Sequence, residues 1–254
     1  MQALGGAKNH MVVMPGADMA LAADAACNAA YGSAGERCMA ISVAVAVGKA
    51  ADALVESVHE RAVKIRVGPG TAPGVDMGPL VTGDHRDRVA GLVGKGQDDG
   101  AELVLDGRGV SVADHPGGFW FGPTVIDRVQ PEMSAYREEI FGPVLAVIRT
   151  DSYGDAVALA NRNPYGNGAA IFTNDGGVAR RFEQDIQVGM VGINVPVPVP
   201  MAHYSFGGWK DSLFGETHIY GPDGIRFYTR GKVVTRRWAE PADAGVDLSF
   251  PTHS

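Results

Sequence analysis

Residues 32–42 read GSAGERCMAIS, and the chemistry they offer is a thiol, Cys38, directly after a guanidinium, Arg37. A nucleophilic cysteine works as its thiolate, which a neighbouring cation and nearby backbone N–H groups favour, and it needs a turn that a substrate can reach. Arg37 supplies the cation, and Gly32 and Gly35 let the chain bend without a Cβ penalty. The residue types leave a second reading open, in which Cys38 is a small hydrophobe at the start of a buried strand. Cys27, inside AACNAA, sits in a helical pattern and reads as core packing. The two cysteines have neither zinc-site nor CxxC spacing, so both thiols read as free. The seven histidines show no HxxxH or HxH spacing, and no metal site is expected.

The elements that must position this stretch follow from periodicity. Ala17 to Tyr31 reads as an alanine-rich helix ended by glycines, and ISVAVAVG after it alternates small and β-branched residues as a strand does. Helical spacing returns over Ala50 to Ile65. Strand-like runs at Met11–Met14, Glu102–Leu105, Thr124–Ile126, Val144–Ile148, Ala169–Phe172 and Met190–Asn194 then alternate with helical segments near 84–95, 155–161 and 177–187. Such alternation predicts an α/β fold with a largely parallel sheet.

Composition removes several function classes. The 254 residues are 45% hydrophobic and 20% charged, a globular balance. A formal net charge of -7 argues against a nucleic-acid surface, and the one basic cluster, Arg230 to Arg237, falls in a strand-like segment. The longest apolar run, Cys38 to Val47, is about half of what spans a bilayer, and no basic n-region opens the chain, so a cytoplasmic protein without membrane contact is expected. Neither GxGxxG nor GxxxxGK[ST] occurs, so no complete nucleotide-phosphate cradle is present.

GSAGERCMAIS, followed by REEIFGPVL, NPYGNGAAIFT, NVPVPVP and SFGGWK, resembles the carboxyl-terminal half of the aldehyde dehydrogenases over nearly the whole chain. The resemblance implies that Cys38 is the catalytic nucleophile and that Glu139 and Phe141 of EEIFGP position the ribose and nicotinamide of NAD. AGERCMA, GFWFGPTVID, NPYGNG and INVPVPVP are most similar to the CoA-acylating branch that oxidises methylmalonate and malonate semialdehydes. In that branch Arg37 matches an arginine that binds the substrate carboxylate; the bland alternatives are capping of a nearby helix or pairing with Glu36. Where hydrolytic members carry E-L-G-G-K this chain has ALGGA, so Ala3 stands where a glutamate activates water. An alanine cannot take that proton, which implies a thioester on Cys38 that waits for CoA.

The same resemblance implies an organisation: residues 1–4 as the end of a cofactor-domain strand, 5–211 as the catalytic domain, and 212–254 as a tail with an oligomerisation strand near 225–238. The Rossmann-like cofactor domain, and with it most of the NAD site, is expected to be absent. The expected partners are a small semialdehyde, CoA, and further copies of the chain or a partner carrying the cofactor domain. Two function classes follow: the catalytic half of an acylating dehydrogenase, or a non-catalytic chain that self-associates or binds a full-length homologue. A cysteine-dependent esterase is a third, since Cys38 could acylate on an activated ester without NAD.

Overall fold

A computed structural model describes residues 1–236, 238, 240, 245–246 and 248 of the 254. In chain order the strands are Ala3–Leu4 (β1), Asn9–Val13 (β2), Ile41–Val47 (β3), Glu102–Leu105 (β4), Thr124–Asp127 (β5), Val144–Thr150 (β6), Tyr165–Gly166 (β7), Gly168–Phe172 (β8), Met190–Ile193 (β9), Trp209–Lys210 (β10) and Leu213–Phe214 (β11). The helices are Met19–Tyr31 (α1), Ala50–Ala62 (α2), Gly83–Asp98 (α3), Ser134–Arg137 (α4), Tyr153–Arg162 (α5), Gly176–Asp185 (α6) and Pro222–Tyr228 (α7). Seven strands form one sheet in the order β4-β5-β6-β3-β2-β8-β9, in which only β4 and β5 pair antiparallel.

The expected α/β class with a largely parallel sheet is what forms. Met11, Val12 and Val13, then Val43 to Val47, then Val144 to Ile148 are all buried, the near-continuous apolar runs of strands covered on both faces. The alternation in ISVAVAVG is therefore one of volume: valines at 43, 45 and 47 face one way and alanines at 44 and 46 the other, with both sets buried. The alanines of α1 are small enough to let the helix lie close to its neighbours, with Leu54, Val58 and Ala62 of α2 buried in the same core. Cys27 belongs to that core, its Sγ 3.7 Å from the Val58 carbonyl, and burial pushes its thiol up to about 11. Asp18 caps α1 by accepting from the Leu21 amide at 3.0 Å. No helix among the described residues is long and apolar enough to cross a membrane.

Two loops cross at the amino-terminal edge of the sheet. Ser33, Ala34 and Gly35 have φ of 54°, 54° and 70°, a left-handed turn that costs non-glycine residues about 1 kcal/mol each. Gly35 meets the loop before β6 backbone to backbone: a Cβ there would overlap the Gly142 carbonyl.

The segment 212–214 is tied back to the start of the chain. Ala3 pairs with Phe214, the Gly5 amide donates to the Ser212 carbonyl at 3.0 Å, and the Ser212 hydroxyl donates to the Gly6 carbonyl at 2.7 Å. A boundary between residues 211 and 212 thus falls inside a turn whose strands, β10 and β11, pair with β7 and β1 respectively. The strand expected near 225–238 is not formed among the described residues: Ile225 to Tyr228 belong to α7, residues 229–236 are in no strand, and Arg237 lies outside the described residues. An isolated edge segment has no ladder to join without a neighbouring sheet, which accounts for the difference.

Three outcomes test this account. Buried His10 holds its Nε2 3.0 Å from the Tyr136 hydroxyl, and burial, followed by the nearby Lys8, lowers its imidazole to about 3. Between about 3 and the unfolded value near 6.5 the unfolded chain binds the extra proton, so unfolding free energy falls as pH drops, by about 2–3 kcal/mol from pH 6.5 to 4.5. His10→Gln keeps a donor to Tyr136 and should lack that part of the slope in urea midpoints; equal slopes would refute it. Gly35→Ala should cost about 2 kcal/mol or more. Gly91→Ala, on α3 with nothing within 4 Å, should gain about 0.5–1 kcal/mol in the same melts.

Candidate functional site

Parallel strands β2, β3, β6 and β8 all begin at one edge, so the residues just before them converge: Ala7 and Asn9, Cys38, Glu139 to Gly142, and Asn167. Cys38 is exposed, and its backbone is held from two sides. The Cys38 carbonyl accepts from Asn9 Nδ2 at 2.9 Å and from Asn167 Nδ2 at 2.8 Å. Asn9 is only 3% exposed; its Nδ2 also reaches the Ala40 carbonyl at 2.8 Å and its Oδ1 accepts from the Gly168 amide at 3.1 Å. The Cys38 amide itself donates to no protein acceptor among the described residues.

The EEIFGP loop forms the opposite wall. Glu139 Oε1 accepts from the Ala7 amide at 3.0 Å, and Phe141 sits at φ 57° and is 38% exposed. A non-glycine residue held at that φ needs its neighbours to fix it. Two side chains one turn apart on α3 do so. His85 Nε2 lies 2.6 Å from the Phe141 carbonyl, which assigns that nitrogen the proton, and Arg88 donates to the carbonyls of Ile140 at 3.1 Å and Glu139 at 3.0 Å. From below, Lys8 Nζ donates to the carbonyls of Ala135 at 2.8 Å and Glu138 at 2.6 Å. Burial lowers the Lys8 ammonium to about 7, against the raising influence of Glu139 and Glu138.

Arg37, Cys38, Glu139 and Phe141 line a single cleft, so the four site residues read from the sequence are brought together. Arg37 is also engaged elsewhere. Its Nη2 donates to the Asn28 carbonyl at 2.8 Å and the Ala29 carbonyl at 3.0 Å, the last turn of α1, where a cation suits the helix end. Gly32 makes room for it, since a Cβ there would meet the guanidinium. Arg37 Nε is buried without a partner among the described residues. Glu36 faces away from it, 3.3 Å from the Val81 amide and 3.5 Å from His85. Ala3 is exposed in β1 and is not part of the cleft wall. Lys8, Asn9, His85, Arg88 and Asn167 were not singled out by sequence; the available signals were Asn167 within NPYGNG, the run of polar residues Lys8 to His10 opening an apolar strand, and the three-residue spacing of His85 and Arg88.

Known proteins resemble this chain in sequence and fold. The family model described as "Aldehyde dehydrogenase family" matches residues 1–234. The chain is 57% identical to malonate-semialdehyde dehydrogenase of Pseudomonas aeruginosa over 99% of its own length and 51% of the relative's. To malonate-semialdehyde dehydrogenase 2 of Geobacillus kaustophilus it is 47% identical over 93% of this chain and 49% of that one. Among solved structures, methylmalonate-semialdehyde dehydrogenase from Oceanimonas doudoroffii superposes with a TM-score of 0.92 at 55% identity, covering 95% of this chain and 50% of that one. A structure described as a putative methylmalonate-semialdehyde dehydrogenase from Sinorhizobium meliloti, complexed with NAD, also gives 0.92, at 49% identity, with 94% and 49% covered. The chain thus spans about half the length of the curated relatives it matches. With the family model covering most of its residues and the Cys38 loop, EEIFGP loop and parallel sheet in place, this chain belongs to the aldehyde dehydrogenase family.

Proposed function

We propose that this chain carries the acylation site of an NAD-dependent, CoA-acylating oxidation of malonate or methylmalonate semialdehyde to acetyl-CoA or propionyl-CoA, acting as the catalytic half of such an enzyme. The observation that supports this most is the exposed Cys38 whose carbonyl is tethered by Asn9 and Asn167 in the cleft that Glu139 and Phe141 also line.

The Cys38 sulfur adds to the aldehyde carbon, and the carbonyl π-pair moves onto oxygen, where the uncommitted Cys38 amide can donate to it. Arg37 Nη1, which has no partner among the described residues, is the donor open to the substrate carboxylate, with Nη2 anchoring the guanidinium on α1. The residues present fit the nicotinamide end of NAD: Glu139 keeps Oε2 free of any protein donor among the described residues while Oε1 is fixed by Ala7, and the Phe141 ring offers an exposed flat face. NAD, when bound, supplies the hydride acceptor that turns the cysteine adduct into a thioester. The bond between the α-carbon and the carboxylate breaks with release of CO2, which water can hydrate to bicarbonate; its electron pair stays on the α-carbon, which takes a proton from solvent. The CoA sulfur then displaces the Cys38 sulfur from the acyl carbon, the CoA thiol proton passing to solvent. Ala3 offers no base to activate water in its place.

A second reading rests on a different observation. Val199, Met201 and Tyr204 are 55%, 70% and 62% exposed along one segment, and Trp209 and Phe214 follow it, a run of apolar surface suited to self-association or to a partner carrying the cofactor domain.

A nitrophenyl ester should give a burst of about one nitrophenolate per chain that Cys38→Ala abolishes, followed by turnover that CoA accelerates at least tenfold over water. A burst that survives Cys38→Ala, or turnover indifferent to CoA, sinks the acylating reading. Asn9→Asp turns a carboxylate toward the Cys38 and Ala40 carbonyls and should slow the burst by tenfold or more, through loss of two donors worth about 1–3 kcal/mol each. An unchanged burst rate in a folded Asn9→Asp protein would show that the tether does not position the thiol.

A further inference from the structure

Apart from the Cys38 cleft, and sharing none of its lining residues, a second cleft of about 330 Å3 opens where the end of α5 meets α4. Its polar side chains are Arg137, Arg162, Asn163 and Tyr136, the last with its hydroxyl already donating to the Leu159 carbonyl. Neither arginine makes a side-chain hydrogen bond or ion pair among the described residues. The cations around them are all engaged: Arg88 with Glu138, Lys95 with Asp99, Lys210 with the carbonyls of Asn161 and Asn163, and Arg181 over the Tyr153 ring. Asn163 is 4% exposed; its Oδ1 accepts from the Tyr165 amide at 3.0 Å, but its Nδ2 is buried with no acceptor. A buried donor left unmade is unfavourable, and a ligand oxygen would satisfy it. Pro131, Leu159 and Pro164 supply the apolar wall.

We propose that this cleft binds a phosphate monoester. Two guanidiniums facing one cavity match a dianion better than a single carboxylate charge, and their planar forks suit phosphate oxygens. The apolar wall would take the organic group, and the volume lies within the range of about 300–1,000 Å3 usual for small-molecule sites. A wider neighbouring cleft, which Arg137 also lines, has the opposite character, because Asp99, Glu132 and Glu138 outnumber its cations Lys95 and Arg137. The proposal goes beyond the reaction above and requires none of its steps.

Titration calorimetry of the full chain in phosphate-free buffer tests it, with inorganic phosphate and adenosine 3′,5′-bisphosphate as probes and sodium acetate as the single-charge control. Either phosphate should bind at least tenfold more tightly than acetate. Arg137→Gln/Arg162→Gln should weaken phosphate at least tenfold, and Asn163→Asp, which keeps the acceptor for the Tyr165 amide, should weaken it as well. Tighter binding of the bisphosphate identifies a nucleotide-type ligand and tighter inorganic phosphate a free anion, and both support the site. No binding by millimolar phosphate, or unchanged binding in the double arginine variant, overturns it. Because both arginines are exposed, melting by circular dichroism should be unaltered in that variant, and Arg137→Lys/Arg162→Lys should restore part of the affinity.

Discussion

The carboxamide of Asn9 is the point on which the arrangement at the sheet edge depends. Buried at the start of β2, it donates to β3's approach at Cys38 and Ala40 and accepts from the first residue of β8. A buried polar group survives only when its partners are supplied, and here they come from two distant stretches of chain, residues 38–40 and Gly168. The residues on either side extend the same logic. Lys8 holds the turn before EEIFGP, and His10 reaches Tyr136, whose hydroxyl donates to the Leu159 carbonyl of α5. Three consecutive buried polar side chains at the entry to one strand thus join the Cys38 loop, the EEIFGP loop and the α5 end.

Ligand sites of open parallel sheets commonly lie beyond the carboxyl ends of the strands. Here the cleft lies at the amino ends, because the loops entering β3, β6 and β8 are the ones tied together, while α3 clamps the EEIFGP loop from outside through His85 and Arg88. The strain at Phe141 and in the left-handed turn 33–35 is local to that edge. It is balanced by bonds that neither loop could make alone.

Local pattern carried most of the fold into view. The strands and helices from β2 to β9 follow from apolar runs, alanine-rich periodicity and glycine punctuation, all of which are short-range signals. Cys38, Glu139 and Phe141 stood out because their motifs are contiguous. Asn9, Asn167, His85 and Arg88 did not, since each gains its role from a partner far along the chain, and an asparagine before a strand looks like an ordinary turn residue. Arg37 shows the limit from the other side: adjacency to a thiol suggested one purpose, whereas the end of α1 claims one face of its guanidinium. The tail strand expected near 225–238 rested on resemblance and not on local pattern, and a strand forms only with a sheet to join.

The span of these tethers has a kinetic consequence. Gly168 meets Asn9 across 159 positions of sequence, and Asn167 meets the Cys38 carbonyl across 129. Contacts of such separation bear a large loop-closure entropy and form after local helices and neighbouring strands have condensed. The loop around Cys38 therefore acquires its shape among the last events of folding, when β8 docks beside β2. Thiol accessibility in a refolding chain would thus report completion of the central sheet, not its beginning.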